Sequence, residues 1–215
     1  MKIYSILVHP SKQSLNASQF NLANKHFLHQ GHEVEILDLY KIHDELLESV
    51  RVLERNNVPI RDRKYESAYH YTYNNALQYS DFSAKEVEKL KNADVLYVQT
   101  PIMVWTIPSI LKLYIESAFI GGGTFYTENP WSDDFELIRV LEGKKVFFSI
   151  VTGAGQAYCN HIMGSVENMI HPIKATCEFV GYEWLDPHIT WGTTETANKR
   201  QDYLDSFQNH LNKLF

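Results

Sequence analysis

Apolar runs alternate with segments of helical periodicity along the 215 residues of this chain. The runs predict five β-strands, at residues 2–8, 33–39, 94–100, 144–151 and from Gly181 to about Trp191. Helical periodicity predicts helices that end at about Gln30, that span about 45–55, 83–92 and 108–120, that lie within 162–180, and that close the chain. Because a strand–helix–strand crossover makes its strands parallel, we expect a single α/β domain over residues 1–215 with a doubly wound parallel sheet.

Several helix ends carry their own signals. Ser83 to Glu86 has the pattern of a capping box. Pro108 suits the first turn of the next helix, where a missing N–H costs nothing. Pro172 is expected to interrupt or restart its helix, and Thr193 or Thr194 to cap the last one. These residues predict where four helices begin or break.

The pattern loosens over an insertion at about residues 41–82. Part of it, about 45–55, has helical periodicity, and the rest is first charged and then rich in aromatic residues: Tyr65, Tyr69, Tyr71, Tyr73, Tyr79 and Phe82. An insertion of this length is usually functional or disordered, and its aromatic residues argue against disorder. We expect it to cover a pocket or a subunit interface.

Composition and charge narrow the function classes. A formal charge of −6 argues against non-specific nucleic-acid binding, which needs clustered Lys and Arg. No apolar run approaches the ~18 residues of a membrane span, and the first residues have the pattern of a strand rather than of a signal peptide. Two cysteines, Cys159 and Cys177, cannot form a disulfide framework. We expect a cytoplasmic protein without membrane insertion.

Three strand ends carry candidate chemistry, and in a parallel sheet they emerge at one edge. Residues 9–16 place hydroxyl and amide groups at a helix N-terminus, which suits an anion. Residues 100–106 form an apolar loop with Trp105, and residues 152–161 begin with glycines that let a ligand approach the backbone. The alternatives are that Ser14 or Asn16 only caps the helix, that Trp105 is a core residue and that the glycines make a plain turn.

Other chemistries have weaker support. His26, His29 and His32 recur every three residues, but Gly31 should end their helix and no nearby carboxylate or cysteine completes a metal site. We therefore expect no metal. The chain has no GxSxG nucleophile motif, no Walker loop and no GxGxxG fingerprint.

Taken together, the three motifs resemble one family. HPxxxSxN follows the first strand, P-x(6)-P-S-x-L-K the third and TGxGxxY the fourth. This set resembles the flavodoxin-like NAD(P)H:quinone oxidoreductases, a family that includes the flavin-dependent azoreductases. The resemblance implies a five-stranded sheet of order 2-1-3-4-5 with helices on both faces, and it covers most of the chain outside the insertion.

The resemblance also implies a flavin site at the interface of a homodimer. The flavin phosphate would lie at the first helix, on His9, Ser11, Ser14, Leu15 and Asn16. The isoalloxazine ring would lie along Pro101, Ile102, Met103, Val104 and Trp105, with its pyrimidine edge on Thr152, Gly153, Gly155 and Tyr158. Tyr158 and His161 would be the catalytic residues, since they would stabilise charge on the reduced ring.

Three positions depart from the family pattern. The family has an aromatic residue where this chain has Val104, and an Asp where it has Glu116. The step from Tyr158 to His161 is shorter than in the animal enzymes. We expect the backbone of residues 101–105 to hold the ring and Trp105 to shape the space for the acceptor.

The function that the resemblance implies is two-electron, ping-pong reduction of a quinone, azo or nitro compound by NAD(P)H, with FAD slightly favoured over FMN. One alternative is a regulatory subunit that binds a partner, such as an ancillary protein of a potassium-efflux system, with the aromatic insertion as its docking surface. Another is an electron carrier like flavodoxin, whose Ser/Thr-Gly-rich phosphate loop this chain lacks. The sequence leaves open the choice between NADH and NADPH.

Overall fold

The computed structural model describes residues 1–55, 80–128, 133–134, 136–193 and 197–215. The strands in these ranges are β1 (Lys2–Leu7), β2 (Glu33–Asp38), β3 (Val95–Pro101), β4 (Phe125–Glu128), β5 (Glu136–Arg139), β6 (Lys145–Val151), β7 (Glu183–Trp184) and β8 (His188–Thr190). The helices are α1 (Leu15–His29), α2 (His43–Arg55), α3 (Asp81–Asn92), α4 (Ser109–Ala118), α5 (Gln156–Met163), α6 (Val166–Val180) and α7 (Arg200–Leu214). Short 3₁₀ turns span Leu39–Lys41 and Ala197–Lys199.

Six strands form one parallel sheet in the order β2-β1-β3-β6-β7, with β8 also paired to β6. The predicted order 2-1-3-4-5 is confirmed, although the fifth strand is divided into β7 and β8. Pro187 lies in the short gap between these two pieces, and its missing N–H cannot donate to a sheet ladder. The division leaves β8 beside the carboxyl half of β6, where Thr190 lies opposite Val151.

Both faces of the sheet are covered by helices. All seven residues of β3 are buried, as expected for a central strand with cover on both sides. On one face Tyr97 stacks on Phe147 at 5.5 Å, and this cluster includes residues of α1 and α7. The other face carries a larger cluster that includes residues of α3, α4, α5 and α6. The predicted doubly wound α/β architecture is therefore confirmed.

The predicted capping box at Ser83 is wrong. The hydroxyl of Ser80 caps α3 instead and accepts the N–H of Ser83 at 3.0 Å. Glu86 is buried, and its carboxylate accepts hydrogen bonds from the hydroxyls of Tyr4 and Tyr114. The Glu side chain is thus part of a buried polar cluster and cannot turn back to the helix end.

Two further helix predictions are corrected. Pro172 lies inside the continuous helix α6, whose Met169 and Ile173 pack into the core; the break falls at Gly164, which has a φ of 78°. Lys199, without a capping side chain, precedes α7. The Thr193 hydroxyl instead donates to the Thr152 carbonyl at 3.3 Å, and Thr194 lies outside the described residues.

Two other segments differ in detail from the prediction. Pro108 immediately precedes α4 and is not in its first turn. The excursion at 124–142 contains the antiparallel pair β4–β5.

Within the insertion, α2 is present. Residues 56–79, with all but one of the predicted aromatic residues, lie outside the described part. No helix in the described ranges is long and apolar enough to cross a membrane.

Candidate functional site

The topology brings the ends of three neighbouring strands to one edge. Leu7 of β1 lies opposite Gln99 of β3, and Pro101 of β3 lies opposite Val151 of β6. We call the segments that follow loop 1 (residues 8–14), loop 2 (residues 102–107) and loop 3 (residues 152–155). Because the strands are parallel and adjacent, the three loops share the carboxyl edge of the sheet, where doubly wound folds bind ligands.

Loop 1 is held by its own hydrogen bonds. The hydroxyl of Ser14 accepts the N–H of Ala17 at 3.1 Å and donates to the carbonyl of Ser11 at 2.8 Å. Ser14 is therefore the N-cap of α1, as one alternative predicted. The N–H of Ser11 donates to Nδ1 of His9 at 3.0 Å, and partial burial lowers the pKa of His9. Nδ1 also lies 3.1 Å from the carbonyl of Ser11; in the tautomer that accepts the Ser11 N–H, the proton is on Nε2, where it can donate to a ligand.

Arg200 supplies a positive charge beside this helix end. Its guanidinium donates to the carbonyls of Gln13 and Ser14 at 3.0 and 3.1 Å and to the hydroxyl of Ser18. The first-turn N–H groups of α1 and this guanidinium together favour an anion. Sequence reasoning missed Arg200, because only the fold brings the start of α7 to loop 1.

The two predicted phosphate-site residues that follow loop 1, at the start of α1, do not both face outward. Asn16 is 3% exposed, and its Oδ1 accepts a hydrogen bond from Nε2 of Gln99 at 3.0 Å. The side chain of Leu15 is half-buried. The Asn16 amide therefore lies beneath the loop, against the sheet.

Loop 2 has a backbone conformation that its residues rarely adopt. Met103 and Thr106 exchange two backbone hydrogen bonds, of 2.8 and 3.2 Å, which close a two-residue turn. The central residues Val104 and Trp105 have φ values of 48° and 65°. Such a turn normally contains Gly or Asn, and each strained residue costs on the order of 1–3 kcal/mol. Strain of this kind concentrates at functional sites.

The turn separates the side chains of its two central residues. Val104 is 91% exposed and Met103 is 42% exposed. Trp105 is half-buried at the edge of the core, and its ring lies 5.7 Å from that of Tyr158 at an angle of 40°. Pro101 and Ile102 continue β3, where Ile102 donates its N–H to the carbonyl of Val151 at 2.9 Å. Trp105 thus joins loop 2 to the helix that follows loop 3.

Loop 3 is braced by the end of β8 and by the residues that follow it. The N–H of Thr152 donates to the carbonyl of Thr190 at 2.9 Å, and the N–H of Gly192 donates to that of Ala154 at 3.0 Å. A Cβ added to Gly155 would meet no atom within 4 Å. The protein's own packing thus does not require glycine at position 155, and the predicted close approach of a ligand there stays a prediction.

Tyr158 and His161 lie one turn apart on α5, and both are exposed. Residues three apart share one face of a helix, so both side chains can reach the same ligand. Glu116, on α4, forms an ion pair with Lys112 at 2.9 Å. This ion pair lies within α4, whereas Tyr158 and His161 belong to α5.

An apolar cavity of about 630 Å³ lies beside loop 2. Its walls are mostly apolar and come from loop 2, α4 and α6, and they include Met103, Val104, Ile107, Ile115, Met169 and Ile173. The described residues of loops 1 and 3 do not line it. The cavity is large enough for a small aromatic molecule.

His26, His29 and His32, which recur every three residues, lie in different surroundings. His26 is buried, with its Nδ1 3.0 Å from Nε2 of Gln208, and burial lowers its pKa. His29 is exposed and His32 half-buried. Within the described ranges, no three His, Cys, Asp or Glu side chains are grouped in a way that could hold a metal ion.

Comparison with known sequences identifies the protein family of this chain. A model for the Flavodoxin_2 family, described as "Flavodoxin-like fold", matches residues 1–214. NAD(P)H dehydrogenase [quinone] 1 of Cavia porcellus is 25% identical over 98% of this chain and 76% of its own. The glutathione-regulated potassium-efflux system ancillary protein KefF of Enterobacter sp. (strain 638) is 32% identical over 51% of this chain and 59% of its own.

Solved structures show the same fold. A putative quinone reductase from Klebsiella pneumoniae superposes with a TM-score of 0.77 at 24% identity, over all of this chain and 85% of its own. An FMN-dependent NADH-azoreductase from Bacillus anthracis, solved with FMN, gives a TM-score of 0.64 at 16% identity, over 99% and 97% of the two chains.

Proposed function

The chain belongs to the Flavodoxin_2 family, and on this basis we propose that it is a flavin-dependent NAD(P)H oxidoreductase. It reduces quinones or similar flat acceptors by two electrons in a ping-pong reaction. One observation carries the proposal: the N-terminus of α1 beside Arg200, an aromatic-bearing loop and a glycine loop meet at a single sheet edge. NAD(P)H dehydrogenase [quinone] 1, which aligns over 98% of the chain, supports the same reaction.

The residues of loop 1 suit the flavin phosphate. The free N–H groups at the start of α1 and the guanidinium of Arg200 offer positive potential at one place. His9 adds a donor at Nε2 in the tautomer in which Nδ1 accepts from Ser11. Together these groups bind a phosphate without burying an unpaired charge.

Loops 2 and 3 suit the flat ring. Ile102, Trp105 and Tyr158 offer apolar and aromatic surface, and residues 101–105 and 152–155 offer backbone N–H and C=O groups for the ring's polar edge. When bound, the flavin supplies the hydride-carrying chemistry. The hydroxyl of Tyr158 and the imidazole of His161 can each donate a hydrogen bond to an oxygen that becomes negative.

The acceptor and the nicotinamide use the same apolar space in turn. The cavity is lined by the loop 2 residues on either side of Trp105 and suits a flat apolar molecule. The Lys112 ammonium at its wall suits an oxygen that gains negative charge during reduction. Binding at one place by two substrates in succession accounts for ping-pong kinetics.

Three finer points are part of the proposal. We propose FAD as the flavin, as the sequence resemblance favours, with FMN as the outcome that would correct it. We propose a homodimer, because Met103, Val104, Tyr158 and Ile162 are exposed apolar side chains near the site that a second copy would cover. We also propose a cytoplasmic location.

The direct test is to purify the protein and analyse its bound flavin. We expect a yellow protein whose flavin, after release by denaturation, is identified by mass spectrometry. The holoprotein should oxidise NADH or NADPH when a simple quinone is present, with parallel lines in double-reciprocal plots. A colourless protein that takes up neither FMN nor FAD would contradict the proposal.

A regulatory subunit is the second candidate, since KefF is 32% identical over half of the chain. The same purified protein distinguishes the two functions. Turnover of a quinone by the isolated holoprotein favours the enzyme. Flavin binding without turnover, with activity that depends on a partner protein, favours the regulatory subunit.

A further inference from the structure

A chain of buried polar side chains runs between α1 and the sheet, beneath the three loops. Nε2 of Gln99 donates to Oδ1 of Asn16 at 3.0 Å and to Oε1 of Gln19 at 3.3 Å, and the hydroxyl of Tyr97 donates to Oε1 of Gln99 at 2.7 Å. Nε2 of Gln19 donates to the hydroxyl of Thr190 at 2.8 Å. All five residues are at most 3% exposed. Buried hydrogen bonds of this kind hold their elements in one arrangement.

The residues of this hydrogen-bonded series adjoin all three loops. Gln99 lies near the end of β3, three residues before loop 2, and its carbonyl accepts the N–H of Val8 of loop 1 at 2.9 Å. Asn16 lies in the first turn of α1, directly after loop 1. The carbonyl of Thr190 accepts the first N–H of loop 3. Gln19 joins the two parts of the series, because it bonds both Gln99 of β3 and Thr190 of β8.

We propose that Gln19 is a positioning residue: its amide links the three loops so that they are preformed for the flavin. This inference rests on the proposed function for the identity of the ligand, but the arrangement of the loops can be tested without it. Gln19 is not itself a predicted ligand-binding residue. It bonds directly to Gln99 and Thr190, and it reaches Asn16 through Gln99.

The expected effect of removing this amide follows from its partners. A nearly isosteric Met at position 19 loses both hydrogen bonds and keeps the volume. Gln99 still donates to Asn16, so its N–H₂ group keeps a partner, whereas the Thr190 hydroxyl loses the donor that fixed it. The link between α1 and β8 is broken, while the core around it stays filled.

Asn24 offers a matched control. It lies on the same helix and is also buried, at 5% exposed, but its amide oxygen and nitrogen have no hydrogen-bond partner among the described residues. Asn24→Leu therefore replaces a buried amide on α1 without removing a link to a loop. We expect it to leave the flavin dissociation constant unchanged.

The first experiment is titration of the apoproteins with the flavin that the wild type carries. For Gln19→Met we expect the dissociation constant to rise roughly fivefold to tenfold, as for the loss of one buried hydrogen bond. Thr190→Val should have a similar effect, and the double variant should be no worse than the weaker-binding single variant. A lower melting temperature of apo Gln19→Met with an unchanged dissociation constant would show a merely structural role and overturn the inference, as would additive effects.

The second experiment is amide hydrogen exchange of the apoprotein, which requires no flavin. We expect Gln19→Met to exchange faster than wild type in loops 1, 2 and 3 together, while Asn24→Leu exchanges as wild type does there. Unchanged exchange in the loops would overturn the inference. If the wild type binds no flavin, the proposed function fails, and this measurement still decides the role of Gln19.

Discussion

The indole ring of Trp105 and the phenol ring of Tyr158 lie 5.7 Å apart, with their planes tilted by 40°. Trp105 belongs to the strained turn of loop 2, and Tyr158 to the helix that follows loop 3. The aromatic residue that the family has at position 104 is absent here, and the exposed Val104 takes its place. The contact supports our proposal that Trp105, one position later, forms the aromatic wall on this side of the site.

This contact leads to the first prediction. Trp105→Ala removes an aromatic pair that contributes about 0.5–1.5 kcal/mol beyond burial, so we expect the acceptor KM to rise roughly threefold to tenfold. Trp105→Phe keeps a ring beside Tyr158 and should stay within about twofold of the wild type. Steady-state kinetics with a simple quinone measure both. An unchanged KM in the alanine variant would mean that Trp105 does not shape the acceptor site.

The second prediction concerns the strain at Val104. Because this side chain is 91% exposed and its φ is 48°, Val104→Gly should lose little burial and gain about 1 kcal/mol in the free energy of unfolding. Ile36→Gly is the matched control, since Ile36 is an exposed β-branched residue in the regular strand β2, and this change should destabilise the protein. Urea denaturation of the apoproteins gives both values. A loss of stability in Val104→Gly would show that the turn is not strained.

The fold and the outline of the site could be predicted because they depend on local patterns. Apolar runs and helical periodicity fix which segments form strands and helices, and the right-handed crossover rule then brings the three loops to one edge. Ser14 could be predicted as a cap for the same reason, since a cap depends on a few neighbouring residues.

The remaining features depend on contacts that no local pattern contains. Arg200 meets loop 1 only after α7 has packed against α1, and the link from Gln19 to Thr190 joins residues 171 apart in sequence. The turn at Val104 and Trp105 contradicts local turn preferences, which call for Gly or Asn. Tertiary contacts therefore decided the parts of the site that sequence reasoning missed.

The third prediction concerns Arg200. Arg200→Ala removes the guanidinium that bonds the carbonyls of Gln13 and Ser14, and we expect the flavin dissociation constant to rise roughly tenfold or more at low salt. Arg200→Lys keeps the charge but not the planar fork, so its effect should be intermediate. Fluorescence titration at two salt concentrations measures both.

Arg139 supplies the control for this charge effect. It is exposed on β5, and Arg139→Ala removes the same charge far along the chain from loop 1. We expect its dissociation constant to match that of the wild type. Equal effects of the two substitutions would mean that Arg200 acts only through the net charge.

The last prediction follows from His188, which is 8% exposed on β8, with its ring 4.9 Å from that of Phe207 and 5.4 Å from that of His210. Burial, and then the neighbouring His210, lower the pKa of His188 to about 4, against about 6.5 for an unfolded chain. Between these values only the unfolded state is protonated, so the stability that neutral His188 gives is complete above pH 6.5 and is lost as the pH falls towards 4.

His188→Phe keeps an aromatic ring beside Phe207. We therefore expect its free energy of unfolding to fall by about 3 kcal/mol less than that of the wild type between pH 7 and pH 4. Urea denaturation at half-unit steps of pH measures the free energy of unfolding of both proteins. His171→Gln is the control, because His171 is exposed on α6, and its profile should follow that of the wild type. Carboxylates titrate in the same range in all three proteins, so the difference between the profiles isolates His188. Parallel profiles for wild type and His188→Phe would show that the buried ring does not set the acid limit of stability.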